Sequence, residues 1–152
     1  MKTPIEKSVT VPLSPQDAFD LFTENMDTWW PGENHSVSAQ KNVEFKNIRF
    51  PKHVGEDIVE QDANGDTHIW DSIIAYHPGK YLAFHRHPGR PADQATVVTV
   101  TFTQSAQGTR CDLTHGGFDI LGPEADAVST SYLNGWDLVL GCFCSAAVPA
   151  YA

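Results

Sequence analysis

Basic residues are scarce in this chain. Lysine and arginine together number 10 against 19 aspartates and glutamates, the net charge is -9, and no basic run occurs. That balance argues against a nucleic-acid-binding face or one that docks on an anionic membrane. Cysteine is nearly absent: Cys111, Cys142 and Cys144 are odd in number and lack the spacing of a disulfide framework. They point to a reducing compartment, the cytoplasm. The opening "MKTPIEKSVTVPLSP" has no apolar core of the kind a signal peptide needs. The longest apolar stretch, "LVLGCFCSAAVPA" from Leu138, is too short to cross a bilayer.

Catalytic signatures are missing too. There is no G-x-S-x-G, no phosphate-binding glycine loop and no Cys-x-x-Cys. Cys142 and Cys144, two apart on a helix, face different ways and cannot chelate together. No cofactor is expected. Internal repeats, low-complexity tracts and linkers are also absent, so residues 1–152 are expected to form one domain.

What remains is an acidic chain with 41% apolar residues, enough for a core. "IEKSVTVPL" alternates and is rich in β-branched residues, which predicts a first strand. Ser14 as N-cap, Pro15 at the first helical position and Asp17 in the first turn predict a short helix carrying Ala18, Phe19 and Phe22. "MDTWWP" predicts a second helical turn, ended by Pro31 and Gly32. From Asn42 the pattern is β. "NVEFKNIRF" slips its apolar phase between Phe45 and Ile48, as a bulge would cause. "GEDIVEQ" and "THIWDSIIAY" flank an Asn64-Gly65 turn. "YLAFHRH" follows, then "ATVVTVTFTQ" and "TRCDLTHGGF" as a further hairpin. After Pro123, a stripe of Ala125, Val128, Tyr132, Trp136, Val139, Phe143 and Ala147 predicts a long helix. Hairpin connections make the sheet antiparallel.

The order of these segments resembles the helix-grip fold of the START and birch-pollen-allergen (SRPBCC) superfamily. Within it the chain is similar to the heat-shock-protein ATPase-activator-like branch. The resemblance rests on "VPLSPQDAFDLFTENMDTWWP", "GDTHIWDSIIAYHPGKYLAF", "TVVTVTFTQSAQGTRCDLTHGGF" and "GWDLVL", and it runs from about Glu6 to Ala147. It implies an α+β fold: a curved antiparallel sheet of six to seven strands wrapped around a long C-terminal helix, with two short helices after the first strand. It also implies a cavity between sheet and helix, which members use for lipids, polyketides and other apolar ligands; some members are cyclases. The branch is named for a co-chaperone with a further N-terminal domain, for which this chain has no room. Chaperone binding is therefore not the first expectation. The sequence does not give the oligomeric state, and a homodimer through the sheet or helices is compatible with it.

Alternation places side chains relative to that implied cavity. Val98, Val100 and Phe102 face inward opposite threonines. Cys111, Leu113 and His115 share the inward face, with Arg110, Asp112 and Thr114 outward. In "LAFHRHPGR", Leu82 and Phe84 set the inward phase, so Arg86 faces in while His85 and His87 face solvent. Two outward histidines with no third ligand at a recognisable spacing do not make a metal site, and none is expected. "THIWDSIIAY" is apolar on both faces, so alternation does not orient Trp70 and Asp71. Trp70 is nevertheless counted with the lining.

Two polar candidates stand out. His115 has a side chain that titrates near neutrality, so it could serve as acid, base or hydrogen-bond donor; the alternative is a core histidine satisfied by neighbours. Arg86, turned inward, needs a carboxylate such as Asp71, an anionic ligand, or an exit to water at the cavity mouth. Trp29, Trp30, Tyr132, Trp136 and Phe143 complete the expected apolar lining, unless they serve packing alone. Three functions follow as expectations. The first is binding of a small hydrophobic or amphipathic ligand. The second is cyclase- or dehydratase-type catalysis, with His115 as acid or base and Arg86 stabilising an oxyanion. The third is interaction with a chaperone.

Overall fold

The computed structural model describes residues 3–148; the expected 1–152 domain extends past both limits, outside the described residues. Seven strands form one sheet: β1 (Ile5–Val11), β2 (Phe45–Arg49), β3 (Asp57–Asp62), β4 (Thr67–His77), β5 (Tyr81–Arg86), β6 (Thr96–Ser105) and β7 (Gly108–Gly116). Their spatial order is β1-β7-β6-β5-β4-β3-β2, and every pair is antiparallel. β1 and β2 therefore lie at opposite edges of the sheet. Between them run α1 (Pro15–Phe22), a 3₁₀ turn (Met26–Thr28) and α2 (Val37–Gln40). The long helix is α3 (Ala125–Ala147). This is the helix-grip architecture.

Local chemistry explains the boundaries. Ser14 is extended, and its hydroxyl accepts from the Asp17 amide at 3.1 Å, starting α1 with Pro15 in the first turn. The Asn64-Gly65 turn closes the β3–β4 hairpin with Gly65 at φ 88° and its amide donating to the Asp62 carbonyl at 3.0 Å. Asp62 Oδ1 also accepts from the Asn64 and Asp66 amides at 2.9 and 3.0 Å. The long helix was expected to open at Pro123. Instead a 3₁₀ stretch over Phe118–Glu124 precedes α3, broken at Gly122 by φ 59°.

The α3 stripe holds. Ala125, Trp136, Val139, Phe143 and Ala147 are buried, and Val128 and Tyr132 are partly buried against the same core. Phe19 and Phe22 of α1 meet Phe102 and Phe143 edge-on, with ring centroids 5.2 to 6.1 Å apart. Lys7 on β1 also pairs with Asp137 on α3 at 2.8 Å. No helix among the described residues is long and apolar enough to cross a membrane.

Irregularities in β2 and β4 decide what faces inward. The register of β2 on β3 shifts between Phe45 and Asn47, where the apolar phase slips. In β4, Asp71 pairs with Ile58 while Ile69 pairs with Val59, so Trp70 is the extra residue of a bulge. Consecutive residues Trp70 and Asp71 are then both buried, at 1% and 0% exposure. A second shift against β5, between Ile73 and Ala75, leaves Ile74 exposed. Simple alternation cannot orient a strand that changes phase twice.

One placement is corrected. His85 faces solvent as expected, but His87 is buried. β5 ends at Arg86, and the chain turns back with the Arg90 amide on the His87 carbonyl at 2.9 Å. The His87 ring tucks under that turn, its Nδ1 3.2 Å from the Arg90 carbonyl. Alternation stops where the strand stops, so the two histidines share no face.

Candidate functional site

A cavity of about 370 Å³ opens between β4–β5, α3 and the segment that leads into α2. Its walls include Trp30, Trp70, Arg86, Tyr132, Trp136 and Val139. Its rim includes Asn34, His35, Gln40, Pro88, Arg90 and Ser131. A second depression, beside the 3₁₀ turn and β2, shares only Trp30 with the expected lining.

The Arg86 guanidinium sits among four rings. Its carbon lies 5.6 Å from the centroid of Trp30, 5.5 Å from Trp70, 5.6 Å from Tyr132 and 5.8 Å from Trp136. Contacts of this kind are each worth about 0.5–2 kcal/mol, the upper end when water is excluded. Asp71 stands directly opposite on β4, and both of its oxygens accept from Nη1 at 3.1 and 3.2 Å. Arg86 faces inward, and of the three ways left open for meeting its charge the structure supplies the Asp71 carboxylate.

Burial pushes the Asp71 carboxyl up to about 6, even though Arg86 beside it pulls the other way. Burial also works against the charge on Arg86, but Asp71 and Tyr132 outweigh it and hold the guanidinium above its ordinary value. The pair thus secures the cation more firmly than the anion. Arg86 Nε is buried and has no partner, an omission that costs about 1–3 kcal/mol.

His115 lies behind this wall with no exposed surface. Its Nδ1 accepts from the Trp136 indole N–H at 3.0 Å, so Nε2 carries the proton and donates to Thr96 Oγ1 at 2.7 Å. Thr96 donates in turn to the Arg86 carbonyl at 3.3 Å. The relay ties α3 to β7, β6 and β5, and it engages both ring nitrogens. Burial, with Arg86 adding to it, pushes His115 down to about 3. A histidine depressed in the folded state stabilises the fold above its unfolded value near 6.5, and that stability drains away as pH falls toward 3. The His115 ring proton signals in NMR are expected to stay flat from pH 8 to pH 5. A titration with a midpoint near 6.5 would show that the ring is not held in this relay.

The other expected lining residues divide between wall and core. Trp29 packs on Phe22 and Phe143 at 5.8 and 5.3 Å, and its indole donates to the Leu21 carbonyl at 2.7 Å. Phe84, Val98, Val100, Phe102, Leu113 and Phe143 are buried in the core away from the cavity wall. Sequence reasoning passed over the rim and one buried acid, Glu60. Its carboxylate accepts from the Val37 and Ser38 amides at 2.8 and 2.7 Å, from the Ser38 hydroxyl, and from the Trp70 indole at 2.6 Å. Glu60 keeps phase with Ile58 two residues earlier, which was the available signal. Among the described residues no cluster of three or more His, Cys, Asp or Glu could hold a metal ion.

Comparison with known proteins adds the family. Residues 12–141 match the sequence pattern of the family described as activator of Hsp90 ATPase homolog 1-like protein. No curated protein matches significantly. A crystal structure from Chromobacterium violaceum superposes with a TM-score of 0.70 at 15% identity, covering 97% of this chain and 99% of that one. The solution structure of the Aha1 dimer from Colwellia psychrerythraea gives 0.62 at 15% identity, over 96% of each chain. An anthrahydroquino-γ-pyrone synthase, Txn09, gives 0.60 at 26% identity, over 84% of each. The 15% likenesses are likenesses of fold. The match over residues 12–141 carries more: this chain belongs to the activator of Hsp90 ATPase homolog 1-like family, within the SRPBCC superfamily.

Proposed function

We propose that this protein binds one small apolar or amphipathic molecule in the cavity between β4–β5 and α3. The observation that carries the reading is how the tryptophans are used. The indole N–H of Trp30 donates to the His35 carbonyl, that of Trp70 to Glu60 and that of Trp136 to His115. With their polar handles spent inside the protein, the rings offer the cavity apolar surface alone. The free cysteines Cys111, Cys142 and Cys144 suit a carrier or sequestering protein of the cytoplasm. The dimeric Aha1 relative supports a homodimer of this one-domain chain.

Native mass spectrometry of freshly purified protein tests the reading. The expected result is a co-purified small molecule released on denaturation, or saturable quenching of tryptophan emission by the neutral probe 1-aminoanthracene. Ser131→Trp, at the exposed rim, should weaken that binding at least tenfold while leaving the fold intact. Ligand-free protein that also ignores the probe would sink the proposal.

A second reading, cyclase-type catalysis, has one observation in its favour: the 26% identity to a synthase. Arg86 would then stabilise an oxyanion. The acid–base role would fall to a group other than His115, whose ring nitrogens are both engaged. Turnover of a bound polyketide-like substrate, lost in Arg86→Lys with binding retained, is the result that would favour it. Chaperone interaction has the family name as its support.

A further inference from the structure

The floor of the cavity keeps its polar groups to itself. The indole N–H groups of Trp30, Trp70 and Trp136 are each bonded within the protein. Arg86 is held by Asp71 and Tyr132, and Arg90 by Glu124. A ligand resting on this floor alone would be recognised by shape and apolar contact. The mouth differs. Asn34, His35 and Gln40 line it from the segment that leads into and forms α2, and Ser131 lines it from α3. None of these four side chains makes a hydrogen bond among the described residues.

His35 is the most enclosed of the four: it is half-buried, whereas Asn34, Gln40 and Ser131 are exposed. Its backbone is fixed on both sides. The amide donates to the Pro31 carbonyl at 2.9 Å, and the carbonyl accepts from the Trp30 indole at 2.7 Å. The imidazole lies against α3 at Gly135, where a Cβ would stand 3.6 Å from Cε1 and 3.8 Å from Nδ1. A side chain longer than that of alanine at 135 would take the place of the ring. Glycine weakens a helix interior, and here it leaves α3 a flat seat for the imidazole. A neutral imidazole offers one donor and one acceptor, and the amides and hydroxyl beside it also do both. The group that uses such a mouth most fully is a hydroxyl, which gives and receives. A carboxylate only receives, and both arginines of the lining already have their carboxylates.

We infer that His35 is the specificity-determining residue of the cavity: its imidazole takes the hydroxyl of a flat phenol whose rings lie on Trp30, Trp70 and Trp136. This rests on the reading that the cavity binds a small apolar or amphipathic molecule. It adds which end of that molecule faces out and what meets it there. An aromatic of the same shape without the hydroxyl covers the same rings and leaves the imidazole to water.

Displacement of 1-aminoanthracene from the full chain by 2-naphthol and by 2-methylnaphthalene, two compounds of one shape, decides the matter. In a site that is apolar throughout, the methyl compound binds more tightly, because water holds it less well. With His35 at the mouth the naphthol is expected to win by about fivefold, the order of one net hydrogen bond. His35→Phe keeps a ring against Gly135 and loses both nitrogens, so the order should reverse. In the unmutated protein, 2-naphthol should move the ring-nitrogen NMR signals of His35, and 2-methylnaphthalene should leave them nearly in place. That readout does not depend on the variant folding. Tighter binding of the methyl compound to the unmutated protein overturns the hydroxyl assignment. A naphthol preference that survives in folded His35→Phe overturns the assignment of His35. In either case displacement of the probe keeps the cavity a binding site for neutral aromatics. If 1-aminoanthracene and both naphthalenes fail to bind, both proposals fall.

Discussion

Arg86→Met is expected to lower the unfolding free energy by about 3–5 kcal/mol, the usual cost of leaving one member of a buried ion pair without the other. Asp71 has no exposed surface, and both of its oxygens take their hydrogen bonds from this one guanidinium. Four aromatic rings lose their cation as well. Against a typical total of about 5–15 kcal/mol, a loss of that size leaves a marginal fold. Its pH dependence follows from Asp71, already pushed up to about 6 by burial with Arg86 present. A carboxyl raised in the folded state adds stability below its unfolded value near 4 and loses it as pH rises through the folded value. Without Arg86 the folded value climbs further. Urea unfolding should therefore show a deficit larger at pH 8 than at pH 5. Arg86→Met/Asp71→Leu should recover most of the loss, because a packed apolar pair replaces the ionic one. A single-variant cost below about 1 kcal/mol would mean that water reaches Asp71.

Arg86 illustrates what could be read in advance and what could not. Its inward direction followed from Leu82 and Phe84 on the same strand, since β5 pairs with β6 without a register shift to its last residue. Asp71 was a conditional partner, and the condition lay in the bulge at Trp70. A bulge turns on how β3 pairs with β4, which no run of residues within β4 displays. The rings around Arg86 come from separate parts of the chain: Trp30 after a 3₁₀ turn, Trp70 from a bulge, and Tyr132 and Trp136 from one face of α3. Helical spacing showed that Tyr132 and Trp136 share a face. It could not show that Trp30 meets them, because only the folded sheet brings residue 30 against residue 70, with centroids 5.0 Å apart. His87 was misplaced because periodicity was carried one residue past the strand end. The short helix α2 went unseen because its four residues carry no periodicity and depend on an acid on β3.

That acid accounts for the second large effect. Glu60→Ala is expected to cost about 3–4 kcal/mol, since it strips acceptors from four buried donors: two amides, a hydroxyl and an indole. The sum of four separate penalties would be larger, but α2 can peel away and let water replace the carboxylate at Val37 and Ser38. Peeling is itself the functional consequence. α2 and the residues before it carry part of the cavity rim, Ser36 and Gln40, while Trp70 is a wall of the cage. One carboxylate thus positions both without touching the cavity. In hydrogen exchange the Val37 and Ser38 amides should lose protection by about 100-fold or more, equivalent to about 3 kcal/mol, while amides in β6 and β7 change no more than global stability requires. Glu60→Gln should fall between, because it keeps one acceptor oxygen and turns an NH₂ toward groups that also donate. Unchanged protection at Val37 and Ser38 in Glu60→Ala would show that α2 is held by its Ser36 cap and packing alone. The acid would then matter only to Trp70, and a selective change in the fluorescence of that indole would be the remaining sign of it.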